Sequence, residues 1–497
     1  MKRTDCVFCS IPFIEYYLPA AAPAVLKGHL QSKGFVVKTF DFNISVKEKF
    51  EGDELVMASA YFQLNRPKSK FHDKLLIKID NLINEWAEKL LDVNPRFIGI
   101  SVFSNDSRRA CEMLLDKLKE KQHDCKVFIG GMGVQEEWLD TVRDKIDYYI
   151  MGEGELACEN LLKGNTGFKG INGRVDQIKD LSSLGPADYG DYDLTPYETF
   201  YQDRKVVQIT GSRGCVRNCT FCDINSHWPS FTWRSSESLI EEIRRTYETH
   251  GISDFFFTDS LINGNLKVYM SMVEGLANFN YETKANITWG GQYIVRKNKN
   301  LSKDYFSLTR DSGAYNLALG VESGSNSVLE HMRKGVTRED LDQFIENFDR
   351  HDITCMYLIL IGYPTETDAD FRKTLDLFHD HQKYVASGTI HGTTLNTTMA
   401  IYDGVPLAKI EPKVFVRDKS EDGSWGWTST IVPNLDWEER LRRRVVAQEV
   451  CDMLKWPTIS ADREFGQLAK KQENYALWKK GITSTNIDLQ PDVSQLS

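Results

Sequence analysis

Val206-Val207-Gln208-Ile209-Thr210-Gly211-Ser212-Arg213-Gly214-Cys215-Val216-Arg217-Asn218-Cys219-Thr220-Phe221-Cys222 runs from a short apolar strand, through a glycine turn, into three cysteines in C-x3-C-x2-C spacing. Three thiolates this close can wrap one face of a compact metal centre, and a cubane iron–sulfur cluster normally takes four. No fourth cysteine stands nearby, which leaves one iron of such a cluster free for a ligand that is not protein. With His227 added, the same run reads C-x3-C-x2-C-x4-H, a zinc array. Buried core thiols are the third reading.

Further strands follow at 254–258, 285–289, 316–321, 354–361 and 388–396, with helical patterns between them. Thr337 with Asp340 and Thr367 with Asp370 have the spacing of capping boxes, which start helices. Six strand–helix units in sequence suit a partial (β/α)6 barrel over 204–415, with chemistry at the carboxyl ends of its strands. A cysteine triplet on the loop after the first strand lies at that end. Beyond 415 strand signals fade, and 416–497 reads as a helical extension with 437–454 its strongest segment.

Upstream, residues 1–165 alternate strands at 6–13, 35–42, 97–103, 126–129 and 148–151 with helices at 21–32, 75–91 and 107–121 and one ending at Leu162. The stretch between 42 and 75 reads as a polar excursion. This α/β alternation predicts a doubly wound, Rossmann-like sheet with ligands at its carboxyl edge. Residues 166–203, rich in Gly, Asp, Pro and Tyr, read as a linker.

Lys and Arg total 61 against 71 Asp and Glu, a net charge of −10, which argues against nucleic-acid binding along the surface. No apolar run reaches the roughly 20 residues that span a bilayer, and the expected address is cytoplasmic. Ten cysteines are too sparse for a secreted disulfide scaffold.

The triplet, with Phe221 before its third cysteine, resembles the radical S-adenosylmethionine (SAM) superfamily. Asp254-Phe255-Phe256-Phe257-Thr258-Asp259-Ser260 is similar to that family's second strand, whose polar end contacts the SAM amino group. Leu319-Gly320-Val321-Glu322-Ser323-Gly324-Ser325, followed by Lys334-Gly335, is similar to its fourth-strand segment. Leu358-Ile359-Leu360-Ile361-Gly362-Tyr363-Pro364-Thr365-Glu366-Thr367 is similar to the segment near adenine. The resemblance implies that Cys215, Cys219 and Cys222 hold a [4Fe–4S] cluster. It implies SAM contacts at Phe221, Asp259, Ser260, Gln292, Glu322, Ser323 and Gly362. Reductive cleavage of SAM would then give a 5′-deoxyadenosyl radical that abstracts hydrogen from an unactivated carbon. Read without the family, Asp259 caps a helix and Glu322 pairs with an arginine.

A sheet domain before such a barrel, joined through Pro186-Ala187-Asp188-Tyr189, is similar to the cobalamin-binding members. The implied cobalamin loops are 11–17 (Pro12, Phe13), 101–104 (Ser101, Ser104), 130–133 (Gly130, Gly131, Gly133) and 152–154 (Gly152, Gly154). Small residues there would let backbone approach a planar ligand. The D-x-H-x-x-G motif of cobalamin mutases is absent, and His29 lies in a helix. The resemblance implies methyl transfer from methylcobalamin to a substrate carbon, with rearrangement, cyclisation or oxidation as the non-methylating alternative and a zinc-stabilised binding protein as the non-enzyme one. Implied partners are a small-molecule or peptide substrate and a one-electron reductant such as flavodoxin or ferredoxin. Arg213 and Arg217 flank the cluster loop and are expected to help hold anionic ligands. Arg440, Arg442, Arg443 and Arg444 read as a solvated helix face. Trp425 and Trp427 suit a pocket wall or core packing, and His391 and Asn396 are candidates for the barrel cavity. Cys6 and Cys9 point to opposite faces of a strand and read as bland.

Overall fold

The computed structural model describes residues 3–12, 16, 18–62, 68, 71–197, 204–396, 399–401, 403–410, 412–417 and 426–458. Its first sheet contains β1 (Thr4–Ser10), β2 (Val37–Asp41), β3 (Pro95–Ser101), β4 (Lys126–Gly130), β5 (Tyr148–Met151) and β6 (Gly173–Arg174). All neighbours pair parallel, in the order β2-β1-β3-β4-β5-β6. Strands buried on both faces need apolar cover on each side. One face packs Ile79, Leu82, Trp86 and Leu114, the other Leu30, Phe128 and Leu161. The strand order reverses between β1 and β3, so the crevice between their carboxyl ends is where a ligand belongs.

Two helices, Phe42–Lys49 and Gly52–Phe62, occupy the stretch read as a polar excursion. Asp41 starts the first by accepting from the Asn43 amide. Leu55, Tyr61 and Phe62 are buried, while the charges between them hid the pattern in the sequence. The stretch read as linker also supplies β6.

The second half holds β7 (Val206–Ile209), the short arms β8 (Ser212–Arg213) and β9 (Thr232–Trp233), β10 (Asp254–Phe257), β11 (Thr288–Gly290), β12 (Gln292–Tyr293), β13 (Leu317–Glu322), β14 (Cys355–Leu360) and β15 (Ile390–Asn396). Parallel pairing gives β11-β10-β7 and β12-β13-β14-β15. The two sheets meet at Gly291, where an added Cβ would stand 2.7 Å from Ile262 Cδ1. The third barrel strand is therefore split in two, and a six-stranded partial barrel results. Both capping boxes form, at Thr337 with Asp340 and at Thr367 with Asp370.

Beyond the barrel, β16 (Phe415–Arg417) and β17 (Trp427–Ser429) pair antiparallel, so strand structure does not end at 415. The helix Trp437–Met453 follows. Its basic run is not a solvated face: Arg440 and Arg443 are buried. Arg440 lies over the Trp427 ring at 3.7 Å and donates to the carbonyls of Met399 and Trp427. Arg443 pairs with Glu366 at 2.9 Å and Asp368 at 2.6 Å.

The two halves close around residues 184–192. Asp188 N donates to Ala24 O, Lys27 pairs with Asp191 at 2.8 Å, and Tyr189 Oη donates to Gln208 O. An added Cβ on Gly28 would stand 1.7 Å from Pro186 O, so only glycine lets helix Ala21–Ser32 accept this segment. Among the described residues, no helix is long and apolar enough to cross a membrane.

Candidate functional site

The arms β8 and β9 pair antiparallel, with the three cysteines on the loop between them. Cys215, Cys219 and Cys222 are all half-buried. Burial pushes the Cys219 thiol up, opposed by the Lys334 ammonium, and pushes Cys222 up to about 12. Thiols held protonated in this way become ligands by losing protons to a metal centre. Among the described residues, no three His, Cys, Asp or Glu side chains stand close enough to hold a single ion. A cubane takes each of its cysteines on a different iron, and this loop offers three. His227 turns to Asp223 at 3.5 Å instead of joining the cysteines.

Thr220, inside the motif, anchors the loop. Its hydroxyl bonds Tyr363 Oη at 2.7 Å, which bonds His331 Nδ1 at 2.7 Å, and its amide donates to Met332 O. Tyr363 and His331 gave no separate sign in the sequence, because their partner lies more than a hundred residues away. Phe221 is partly buried against the apolar cluster that includes Tyr363 and Ile401.

Glu322 ends β13 with φ 67°, a left-handed backbone costing about 1 kcal/mol or more outside glycine, at a bulge between Gly320 and Glu322. The bulge aims its carboxylate at Lys334 Nζ, 3.0 Å away, so its partner is a lysine and not an arginine. Lys334 also lies beside Cys219, which joins this ion pair to the cluster loop. Ser260 and Gln292 are half-exposed on the same rim. Along β10 and its extension, Phe256, Thr258 and Ser260 are accessible while Phe255, Phe257 and Asp259 are buried, the alternation of a strand with one face open.

Three expected SAM contacts are engaged by the fold itself. Asp259 is buried and accepts from Gly211 N at 2.8 Å; burial pushes its carboxyl up to about 7. Ser323 is wholly buried against Thr374 and accepts from Ser325 N. Gly362, with φ 80°, donates its amide to Glu366, and an added Cβ would meet Arg440 Cγ at 2.6 Å. His391 packs its ring on Tyr315. Trp427 is core, donating to Met399 O. Trp425 and the side chain of Asn396 lie outside the described residues.

At the first sheet, the β1–β3 crevice carries the features of a ligand seat. Phe103 is 57% exposed and Met132 42%, two apolar side chains at the ends of β3 and β4. Beside them, Ser104 Oγ and Ser107 Oγ are buried with no hydrogen-bond partner among the described residues. Orphaned hydroxyls are costly and fit a ligand edged with amides, as a corrin is. Ser101 is half-exposed at the end of β3, and Pro12 is buried; Phe13 lies outside the described residues. Phe103 was hidden inside an apolar strand run, and Met132 and Ser107 lacked any pattern.

The glycines of these loops pack closely against neighbouring chain. An added Cβ on Gly131 would stand 2.5 Å from Val102 O, and on Gly133 2.5 Å from Ser104 O. Their smallness lets two loops close on each other. Gly130 lies near Ile150 and Gly154 near Leu26, again as packing. Gly152, with φ 100°, turns the chain toward Val175. The 152–154 turn is covered by the barrel half: Arg213 pairs with Glu153 at 2.7 Å and with Glu155. Arg213 is thus spent on protein carboxylates, not on an anionic ligand.

Residues 209–378 match the radical SAM superfamily, and residues 71–162 the B12 binding domain. The chain thus carries a radical SAM domain and a B12-binding domain. The first domain brings the use of a [4Fe–4S] cluster and SAM, and the second the use of cobalamin. The fold is similar to that of TsrM from Kitasatospora setae, a radical SAM methyltransferase with cobalamin and [4Fe–4S] cluster bound: TM-score 0.63, 14% identity, covering 97% of this chain and 100% of that one. Anaerobic magnesium-protoporphyrin IX monomethyl ester cyclase of Synechocystis is 24% identical over 53% of this chain and 55% of that protein. Bacteriochlorophyllide d C-12(1)-methyltransferase of Chlorobaculum tepidum is 24% identical over 41% of this chain and 43% of that protein. The chain spans about half the length of these two curated relatives.

Proposed function

We propose that the chain is a cobalamin-dependent radical SAM methyltransferase acting on an unactivated carbon. The observation that carries this reading is the juxtaposition of a cysteine loop with a ligand crevice: β8 and β9 bring Cys215, Cys219 and Cys222 to the same side as the loops after β3, β4 and β5. When bound, the cluster supplies the electron that splits SAM, and cobalamin supplies the methyl group. Cys215, Cys219 and Cys222 would hold three irons. The Glu322–Lys334 pair, Ser260, Gln292 and Phe221 would orient SAM, with Gly362 beside adenine. Asp259 and Ser323 would support the ends of their strands. Phe103, Met132, Ser104 and Ser107, with Ser101, Pro12 and Phe13, would seat the corrin, and the 130–133 and 152–154 turns would shape its edge.

The methyltransferases among its relatives support this reading, while the cyclase supports a second, radical cyclisation without methyl transfer. The substrate we infer is a small molecule or peptide, the electron donor a flavodoxin or ferredoxin, and the compartment the cytoplasm. Protein grown with cobalamin and purified without oxygen is incubated with SAM, titanium(III) citrate and candidate substrates. S-adenosylhomocysteine (SAH) alongside 5′-deoxyadenosine is expected. Deoxyadenosine alone, with cobalamin bound, overturns methyl transfer in favour of cyclisation.

A further inference from the structure

The base of the cysteine hairpin is gripped from the first domain at both arms. On β8, Arg213 reaches Glu153 Oε1 at 2.7 Å and the Glu155 carboxylate, all three side chains being at most 13% exposed. Its guanidinium also lies over the Trp228 ring at 5.8 Å. Beside β9, Gln177 Nε2 donates to Ser230 O at 2.7 Å, and Ser230 N donates back to Gln177 Oε1 at 3.0 Å. Ile178 N donates to Glu153, tying the two grips together. Glu153 and Glu155 belong to the turn and helix start that follow β5, at the carboxyl edge of the first sheet.

A charge triad sealed from water gives little net stability but a strongly fixed geometry, because a guanidinium fork meets two carboxylates only in one arrangement. The cysteine triplet begins two residues after Arg213. A shift of the fork would displace the cluster loop relative to the crevice at β1 and β3.

We propose that Arg213, backed by Gln177, is a positioning residue that sets the separation between the cluster loop and the cobalamin crevice. The inference rests on the cofactor assignment above. Splitting of SAM needs only groups of the barrel. Passing SAM's methyl group to cobalamin, reduced to cob(I)alamin by the titanium(III) donor, leaves SAH and needs SAM and cobalamin at a fixed spacing across the domain boundary. A clamp that sets this spacing acts on the second and spares the first.

The test uses holoprotein with SAM and titanium(III) citrate, in wild type, Arg213→Lys and Gln177→Ala. Lysine keeps the charge but cannot fork, and Gln177→Ala strands no charge, so it reports even where the lysine variant fails to load. Iron, sulfide and cobalt contents are expected unchanged, and 5′-deoxyadenosine release is retained. SAH release falls by up to about 100-fold, the scale of a 1 Å misplacement. In electron paramagnetic resonance, the magnetic interaction between cob(II)alamin and the reduced cluster changes in both variants. SAH and deoxyadenosine falling together, or an interaction identical to wild type, overturns the clamp. Wild type that binds cobalamin yet releases no SAH removes the methyl-transfer reading, and the magnetic interaction then decides the clamp alone. Wild type that binds no cobalamin overturns both.

Discussion

Single side chains carry two separable jobs here, ligation and support. Replacing Cys215, Cys219 or Cys222 by alanine is expected to abolish 5′-deoxyadenosine formation. The same change at Cys6 or Cys9, both buried in β1, should leave it intact. Asp259 illustrates support. Its folded carboxyl value of about 7 lies above that of an unfolded aspartate, about 4, because burial disfavours the charged form. Its contribution to stability is therefore fullest below pH 4 and is lost as pH rises through 7. Asp259→Asn keeps an acceptor for Gly211 N and removes the titration. Denaturant unfolding should then lose part of its decline between about pH 4 and 7; an unchanged profile would place that decline elsewhere.

At the scale of elements, the helix Trp437–Met453 locks the segment after β14. Arg443 pairs with Glu366, whose carboxylate holds the Gly362 amide, and burial pushes Glu366 up to about 7 even with Arg443 opposing it. Arg443→Met strands that carboxylate and should cost about 3–5 kcal/mol in chemical unfolding. Glu366→Gln, which leaves no stranded carboxylate, should recover part of the loss in the double variant. This lock marks the limit of sequence reading. The cysteine triplet, both capping boxes and the strand–helix alternation were legible because each is a local spacing. Arg440 and Arg443 read as solvated because their partners at Met399, Trp427 and Glu366 are brought in by the fold. The helices at 42–62 were hidden by charges between their buried residues. The crevice glycines are conspicuous in the sequence without saying why, since closeness of chain to chain and of chain to ligand demand the same residue. Ser323 and Gly362 show the same ambiguity, a motif residue being conspicuous whether it touches ligand or holds the loop that does.

For the whole molecule, the decisive contact is residues 184–192 lying between the two halves. Gly28→Ala places a methyl group into the Pro186 carbonyl, and overpacking of this kind costs about 1–3 kcal/mol or more. The variant should show lower thermal stability and faster proteolytic cleavage near 184–192, with each half still folded by circular dichroism. Unchanged cleavage would mean that the helix and segment relax around the methyl group. The helix Ala21–Ser32 that receives this segment has a temporal consequence as well. Chains emerge from the ribosome amino end first, and early domains generally fold as units. The helix and its sheet are synthesised before Pro186 appears, so the landing surface precedes the strap. By the time Val206 begins the barrel, Asp188 and Asp191 can already be docked on Ala24 and Lys27, giving the later half a fixed starting point from which to close.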